Sequence, residues 1–202
     1  MKTFYIIRHA DKEKGDFYNP VLRHQDQPIS AKGQQDARKL YSFLADKSVG
    51  AIYISAYQRT RQTIEYTTQQ LGLVPVVDDR LNEIASGLID GLDKQEVIER
   101  FPEVWKAFQE RKYDFRFPEG ETGEEARARI MNFLAEKQSQ HNSDSIVMVT
   151  HEGLMRTLMC ALVGLPVYKR WNFHVDFCGI MEIAFQPDYN EWKVMRFNQV
   201  CP

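Results

Sequence analysis

Four short apolar or β-rich runs in this 202-residue chain each end beside a residue that can do chemistry. Arg8 and His9 close the run 3–7, Ser55 ends 51–55 with Arg59 just beyond, Glu83 follows 74–77 by a few residues, and His151 closes 145–150. In α/β sheets, ligands bind beyond the carboxyl ends of the strands, so residues in these places converge on one edge. A single His, Arg or Glu there is ordinarily a hydrogen-bonded or ion-paired structural residue. Two histidines, two arginines and a carboxylate at four strand ends form a constellation, and their types suit phosphoryl transfer through a covalent histidine. A neutral imidazole nitrogen attacks phosphorus and guanidinium groups spread positive charge over the equatorial oxygens. A protonated carboxyl hands its proton to the departing oxygen and then, as a carboxylate, activates water.

Other chemistries find less support. His151-Glu152 begins an HExxH pattern, but Met155 occupies the second histidine position. The chain has no GxxxxGK[ST] loop and no GxSxG elbow. Asp11, His24 and Asp26 make only a loose set of metal-type ligands, so no metal is expected. The three cysteines, Cys160, Cys178 and Cys201, are an odd number without CxxC spacing, against a disulfide framework or a structural zinc site.

The elements that position these residues are legible as βαβ units: short β-rich runs alternate with stretches of helical period. The first and last runs are almost continuously apolar, as central strands of a parallel sheet covered on both faces should be. Ser30 caps a predicted helix with Ala37, Leu40, Tyr41 and Leu44 at helical spacing, and a second helix is expected over 59–71. Thr122 and Glu125 form a capping box before the apolar stripe Ala126, Ile130, Phe133 and Leu134, predicting a helix over 123–138. A further helix over 154–162 stops at Gly164-Leu165-Pro166. The runs 177–185 and 192–197 flank Gln186-Pro187-Asp188-Tyr189-Asn190 and read as a hairpin placing an antiparallel strand beside the parallel ones. The expected fold is therefore α/β, a three-layer sandwich with a mostly parallel central sheet, an antiparallel edge strand and helices on both faces. It forms one domain over 1–202, with rim or cap segments at 11–28 and 88–120, since connections of that length are uncommon in compact domains and often functional.

Composition agrees. Hydrophobic residues at 43% and charged residues at 27% are an ordinary globular mix. Lys plus Arg at 26 against Asp plus Glu at 28 leaves no global basic field for a nucleic-acid backbone, so an anion site must be local. The apolar run at 4–7 is too short for a signal peptide or a membrane span, and a cytoplasmic location is expected.

The same residues resemble the histidine phosphatase, or phosphoglycerate mutase-like, superfamily along nearly the whole chain. Ile6-Ile7-Arg8-His9-Ala10 resembles the first-strand motif, and Ser55 to Thr63, with Arg59 and Gln62-Thr63, resembles the second. Leu81-Asn82-Glu83-Ile84 with Gly87 and Asp90-Gly91 resembles the acid-bearing segment, Pro118-Glu119-Gly120-Glu121-Thr122 the Pro-x-Gly-Glu-Ser motif, and Val149 to Gly153 with Arg156 the second-histidine motif. The resemblance implies that His9 becomes phosphorylated, that Arg8, Arg59 and His151 hold the phosphoryl group, that Glu83 donates the proton, and that no metal or organic cofactor is needed. The chain departs from the family at Ala10 and Glu152, where glycine is usual; Glu152 is expected to point to solvent. The Gly-Glu-Thr-x-x-Asn that usually follows the first histidine is not intact, which leaves Asn19 as the candidate phosphate contact.

Mutases of this family tend to be longer, so hydrolysis of a small phosphorylated metabolite is expected. Phosphoglycerate mutase-type transfer is the alternative, and a non-catalytic phosphate-binding adaptor a more distant one. Lys12, Lys14 and Arg23 could steer an anionic substrate at the rim, and Phe101, Trp105, Phe108, Tyr113, Phe115 and Phe117 could line a leaving-group pocket or pack the cap. Neither nucleic acid nor membrane is an expected partner, and a monomer or homodimer is expected.

Overall fold

A computed structural model describes residues 2–141 and 145–202. Its strands are β1 (Lys2–Arg8), β2 (Tyr18–Asn19), β3 (His24–Gln25), β4 (Val49–Ile54), β5 (Val76–Val77), β6 (Ser145–Thr150), β7 (Ile180–Gln186) and β8 (Glu191–Gln199). Its α-helices are α1 (Ala31–Leu44), α2 (Gln58–Leu71), α3 (Lys94–Arg100), α4 (Pro102–Glu110), α5 (Gly123–Gln140) and α6 (Glu152–Leu162). Six strands form one sheet in the order β5-β4-β6-β1-β7-β8. Neighbours from β5 to β1 pair in parallel, β7 runs antiparallel to β1, and β8 antiparallel to β7.

The period-two alternation of the central strands divides the core. Phe4 and Ile6 of β1, with Ile146 and Met148 of β6, face Phe133 and Leu134 of α5 and Leu154 and Leu158 of α6. Tyr5 and Ile7, with Val147 and Val149, face Leu40 and Leu44 of α1 and Ile64 of α2. Each fully buried Ile, Val or Leu in these layers contributes about 1.5–3 kcal/mol relative to exposure, so the central strands are held from both sides. The three-layer sandwich expected from the sequence is the observed architecture. Among the described residues no helix is long and apolar enough to cross a membrane.

Local differences have local causes. The strand expected at 74–77 is only Val76–Val77, because Pro75 offers no N–H to the ladder and Val74 lies 84% exposed at the sheet edge. The strand expected from 177 begins at Ile180, after a turn in which Cys178 has positive φ and Gly179 donates its N–H to the Asp176 carbonyl. Helix α6 begins two residues earlier than expected, at Glu152, with His151 as its N-cap.

Neither rim segment is irregular throughout. Segment 88–120 contains α3, started by the Asp93/Glu96 capping box, and α4, which has Pro102 in its first turn. Segment 11–28 is strapped at its base by a bridge between Lys12 and Ile29 and by the bond from the Glu13 N–H to the Pro28 carbonyl, and it carries the ribbon β2–β3.

Candidate active site

Backbone bonds between strand ends fix the floor of the site. The His9 N–H donates to the Thr150 carbonyl at 2.9 Å and the Arg8 N–H to the Gly179 carbonyl at 3.0 Å, while the His9 carbonyl accepts from the Cys178 N–H at 3.4 Å. The sheet thereby sets the place of His9 before its side chain makes any contact. His9 is 4% exposed, Arg59 5% and His151 0%, and the two imidazole rings lie 5.2 Å apart.

The proton inventory is self-consistent. His9 Nδ1 lies 2.8 Å from the Ala10 carbonyl oxygen, which only accepts, so Nδ1 carries the hydrogen and Nε2 keeps its lone pair. The Ala10 N–H donates to Thr63 Oγ1 at 2.8 Å, and Thr63 in turn donates to the Arg59 carbonyl at 2.6 Å, so the residue whose carbonyl sets the tautomer is anchored to α2. His151 Nδ1 accepts from Arg59 Nη2 at 3.1 Å, because guanidinium only donates. That assignment puts the His151 hydrogen on Nε2, where it donates to Ser55 Oγ at 2.8 Å. Burial first, and the charge of Arg59 second, push both imidazoles well below their ordinary value of 6.5, so both are neutral at pH 7.

The two arginines are held differently. Arg59, in the first turn of α2, donates through Nη1 to the Gln25 carbonyl at 3.2 Å, lies 3.8 Å from Asp26 Oδ1 and stacks 4.1 Å from the Tyr57 ring centre. Arg8 donates to the Val175 carbonyl, stacks 4.0 Å from Phe177 and pairs with Glu152 Oε2 at 3.2 Å. Glu152 also pairs with Arg156, one turn along α6. The expectation that Glu152 points to solvent is therefore corrected: two guanidinium groups draw its carboxylate inward. Burial pushes the guanidinium of Arg8 down, and Glu152 opposes that shift.

Glu83 meets the start of α6. Its Oε1 accepts the N–H groups of Ile84 at 2.9 Å and Leu154 at 3.2 Å, and Oε2 accepts that of Gly153 at 3.2 Å, so Oε2 has the greater spare capacity. A Cβ on residue 153 would stand 2.6 Å from Oε1, so any side chain there would displace this carboxylate. Behind Glu83, Arg129 donates to its backbone carbonyl and pairs with Glu121, and Glu121 accepts the Ala85 N–H.

A cavity of about 180 Å³ opens over this floor, lined by Arg8, His9, Lys12, Arg59, Glu83 and Glu152, with His24 and Asp90 on its outer side. His151 lies behind Arg59 and is not part of the lining. Asn19 is absent from the lining too; its Oδ1 accepts the Val21 and Leu22 N–H groups and its Nδ2 donates to Asp26, so it closes the turn of the ribbon. Arg23 pairs with Glu119 at 3.0 Å and borders a neighbouring hollow of about 350 Å³. Asp11, His24 and Asp26 do not converge: Asp11 accepts from Ser30 Oγ, Asp26 from the Gln58 N–H, and His24 meets Asp90. Among the described residues no group of three or more His, Cys, Asp or Glu side chains could hold a metal ion. The sequence reading left Ser55 and Thr63 without roles; their signal was position, one at a strand end and one in a helical turn after Arg59. The cap aromatics pack on one another and on Trp171, with Phe108 4.8 Å from Trp171 and Phe115 5.0 Å from Phe117.

Known proteins resemble this chain in sequence and in fold. Phosphoserine phosphatase 1 from Hydrogenobacter thermophilus is 29% identical over 100% of this chain and 94% of its own length. A Shigella dysenteriae protein named "Probable phosphoglycerate mutase GpmB" is 25% identical over 92% of this chain and 86% of its own. The crystal structure of the alpha-ribazole phosphatase from Shigella flexneri superimposes with a TM-score of 0.81 at 21% identity, covering 98% of this chain and 96% of that one, a likeness of fold. The family model of the histidine phosphatase superfamily, branch 1, matches residues 4–199, and the chain belongs to that superfamily.

Proposed function

We propose that this chain, a phosphoric monoester hydrolase of the superfamily, cleaves a small phosphorylated metabolite of the cytoplasm through a phosphohistidine on His9. The observation that carries the reading is the bond from His9 Nδ1 to the Ala10 carbonyl, which leaves Nε2 as the nucleophilic atom in a cavity shared with Arg8, Arg59 and Glu83. Nε2 attacks phosphorus, the bond to the ester oxygen breaks, and Glu83 gives that oxygen its proton. The positive charge arising on the ring is met by the Ala10 carbonyl at Nδ1. Arg8 and Arg59 stabilise the equatorial oxygens, with His151 acting as a positioning residue that holds Arg59 from behind. In the second half-reaction a water attacks phosphorus, Glu83 takes its proton, and the N–P bond returns its electron pair to Nε2. The histidine supplies the nucleophile and the arginines supply the charge, so no step calls for a metal.

The test is phosphate release from an aryl phosphate in the presence of a chelator, with a panel of natural phosphomonoesters alongside. Release by the wild type and none by His9→Ala is expected; an active His9→Ala variant overturns the covalent route. The mutase-named relative motivates a second reading, tested in the same plate by interconversion of phosphoglycerates primed with bisphosphoglycerate. Hydrolysis is favoured because the relative that matches 100% of this chain is named a phosphatase.

A further inference from the structure

The cationic groups around the cavity are not equally committed. Arg8 faces Glu152, Arg59 is held by His151, the Gln25 carbonyl and nearby Asp26, and His24 faces Asp90 at 3.3 Å. Lys12 is the exception: among the described residues its ammonium has no carboxylate within ion-pair distance, and its partner is the neutral Gln27 Oε1 at 3.0 Å. Its backbone is nevertheless tied down by the bridge to Ile29 and the strap from Glu13 to Pro28, so the ammonium is presented from a fixed base and not from a loose loop. Gln27, itself buried, fixes the far end of the side chain. A half-buried ammonium in this position is costly, and burial together with the nearby charge of Arg59 pushes its pKa down. An anion entering the cavity would relieve that cost.

The transferred phosphoryl group is already provided with two guanidinium groups at the floor. The geometry points to Lys12 as a specificity-determining residue that receives a carboxylate on the substrate's leaving group. The preferred substrate is then a short phosphomonoester whose alcohol portion is an amino acid or hydroxy acid. Lys12 lines the same cavity as His9, Arg8 and Arg59, so a carboxylate that it receives stands close to the ester, which favours a short alcohol portion. Arg23 and Lys14 do not compete for the role: Arg23 is paired with Glu119 outside this cavity, and Lys14 is exposed and absent from its lining.

This assignment rests on the phosphomonoesterase reading above, and matched substrates separate the two. O-phosphoserine and O-phosphoethanolamine differ by the carboxylate, as, on a three-carbon frame, do 3-phosphoglycerate and glycerol 3-phosphate. The wild type should favour the carboxylate member of at least one pair, by about tenfold or more in kcat/KM, the scale of one lost charge-assisted hydrogen bond. Lys12→Gln should collapse that ratio toward unity, mostly through KM, and Lys12→Arg should restore part of it. Equal losses on both members of a pair in Lys12→Gln would mean that Lys12 serves the phosphoryl group or the fold, and would overturn the assignment. So would a wild type that releases phosphate from all four esters without preference. No release from any ester or from an aryl phosphate would instead remove the hydrolase reading, and this assignment with it.

Discussion

His9 and Asn19 stand close in the chain but are held by opposite means. His9 is stitched by backbone bonds to the end of β6 and to the turn before β7, and its buried ring has its tautomer set by the Ala10 carbonyl. Asn19 sits in a two-stranded ribbon on the rim, where side chains close a turn that the backbone alone would leave loose. The floor of the site is thus a consequence of the sheet, and altering it requires changing a side chain that does chemistry. The rim is a consequence of local side-chain bonds and exposed ion pairs, each worth little. The rim is therefore adjustable without disturbing the floor.

The contrast yields graded expectations. His9→Ala should cut kcat by at least ~10⁴-fold and abolish phosphate labelling trapped by alkaline quench, under which phosphohistidine survives, while the melting temperature changes little. Retained turnover would show that the floor is not where the reaction happens. Glu83→Gln should lower kcat by about 10²–10³-fold on alkyl phosphates and by less on an aryl phosphate, whose departing oxygen needs a proton less. Equal losses on both substrates would assign Glu83 to binding. Gly153→Ala should give a smaller loss, about tenfold in kcat, by displacing the same carboxylate, and should keep the same alkyl-over-aryl bias.

Acid should affect the floor next. The His9 and His151 pKa values are depressed in the folded protein, so from pH 6.5 downward the unfolded chain binds more protons and stability falls. The acid limb of kcat/KM should lie below 6.5 for the same reason, and an acid limb above that value would mean that burial is not what sets the ionisation of His9. The smallest effects belong to the rim. Asn19→Ala should cost about 1 kcal/mol of stability or less and leave kcat and KM alone, and Arg23→Ala should change stability by less than about 1 kcal/mol. A large kinetic defect in either would erase the distinction between the regions.

What could be read from the sequence follows the same division. The runs 3–7 and 145–150 have no polar interruption and could only be central strands, so the residues that close them, His9 and His151, were legible by position. The capping signals of Ser30 and Thr122 located α1 and α5 because their bonding partners lie within one turn. Glu152 was misread because its two partners, Arg8 and Arg156, are brought together only when α6 packs beside β1. Asn19 was offered as a phosphate contact because spacing after the first histidine is a one-dimensional measure, whereas the ribbon turns the residue toward Asp26. The short helices α3 and α4 were missed because seven and nine residues carry too few turns for a periodic signal. The distinct status of Lys12 was beyond any sequence reading, since it depends on what the neighbouring cations are already bonded to.

The backbone bond from the His9 N–H to the Thr150 carbonyl has a consequence for how the molecule wears out. An amide knitted into the middle of a two-sided core exchanges its hydrogen with solvent only when the sheet itself opens, whereas amides of the ribbon exchange through local fraying. In a hydrogen-exchange time course His9 should keep time with the slowest amides of β1 and β6. A protease that nicks the ribbon would then meet strand ends still folded and in register, so cleavage of the rim should leave the slow exchange of the His9 amide unchanged.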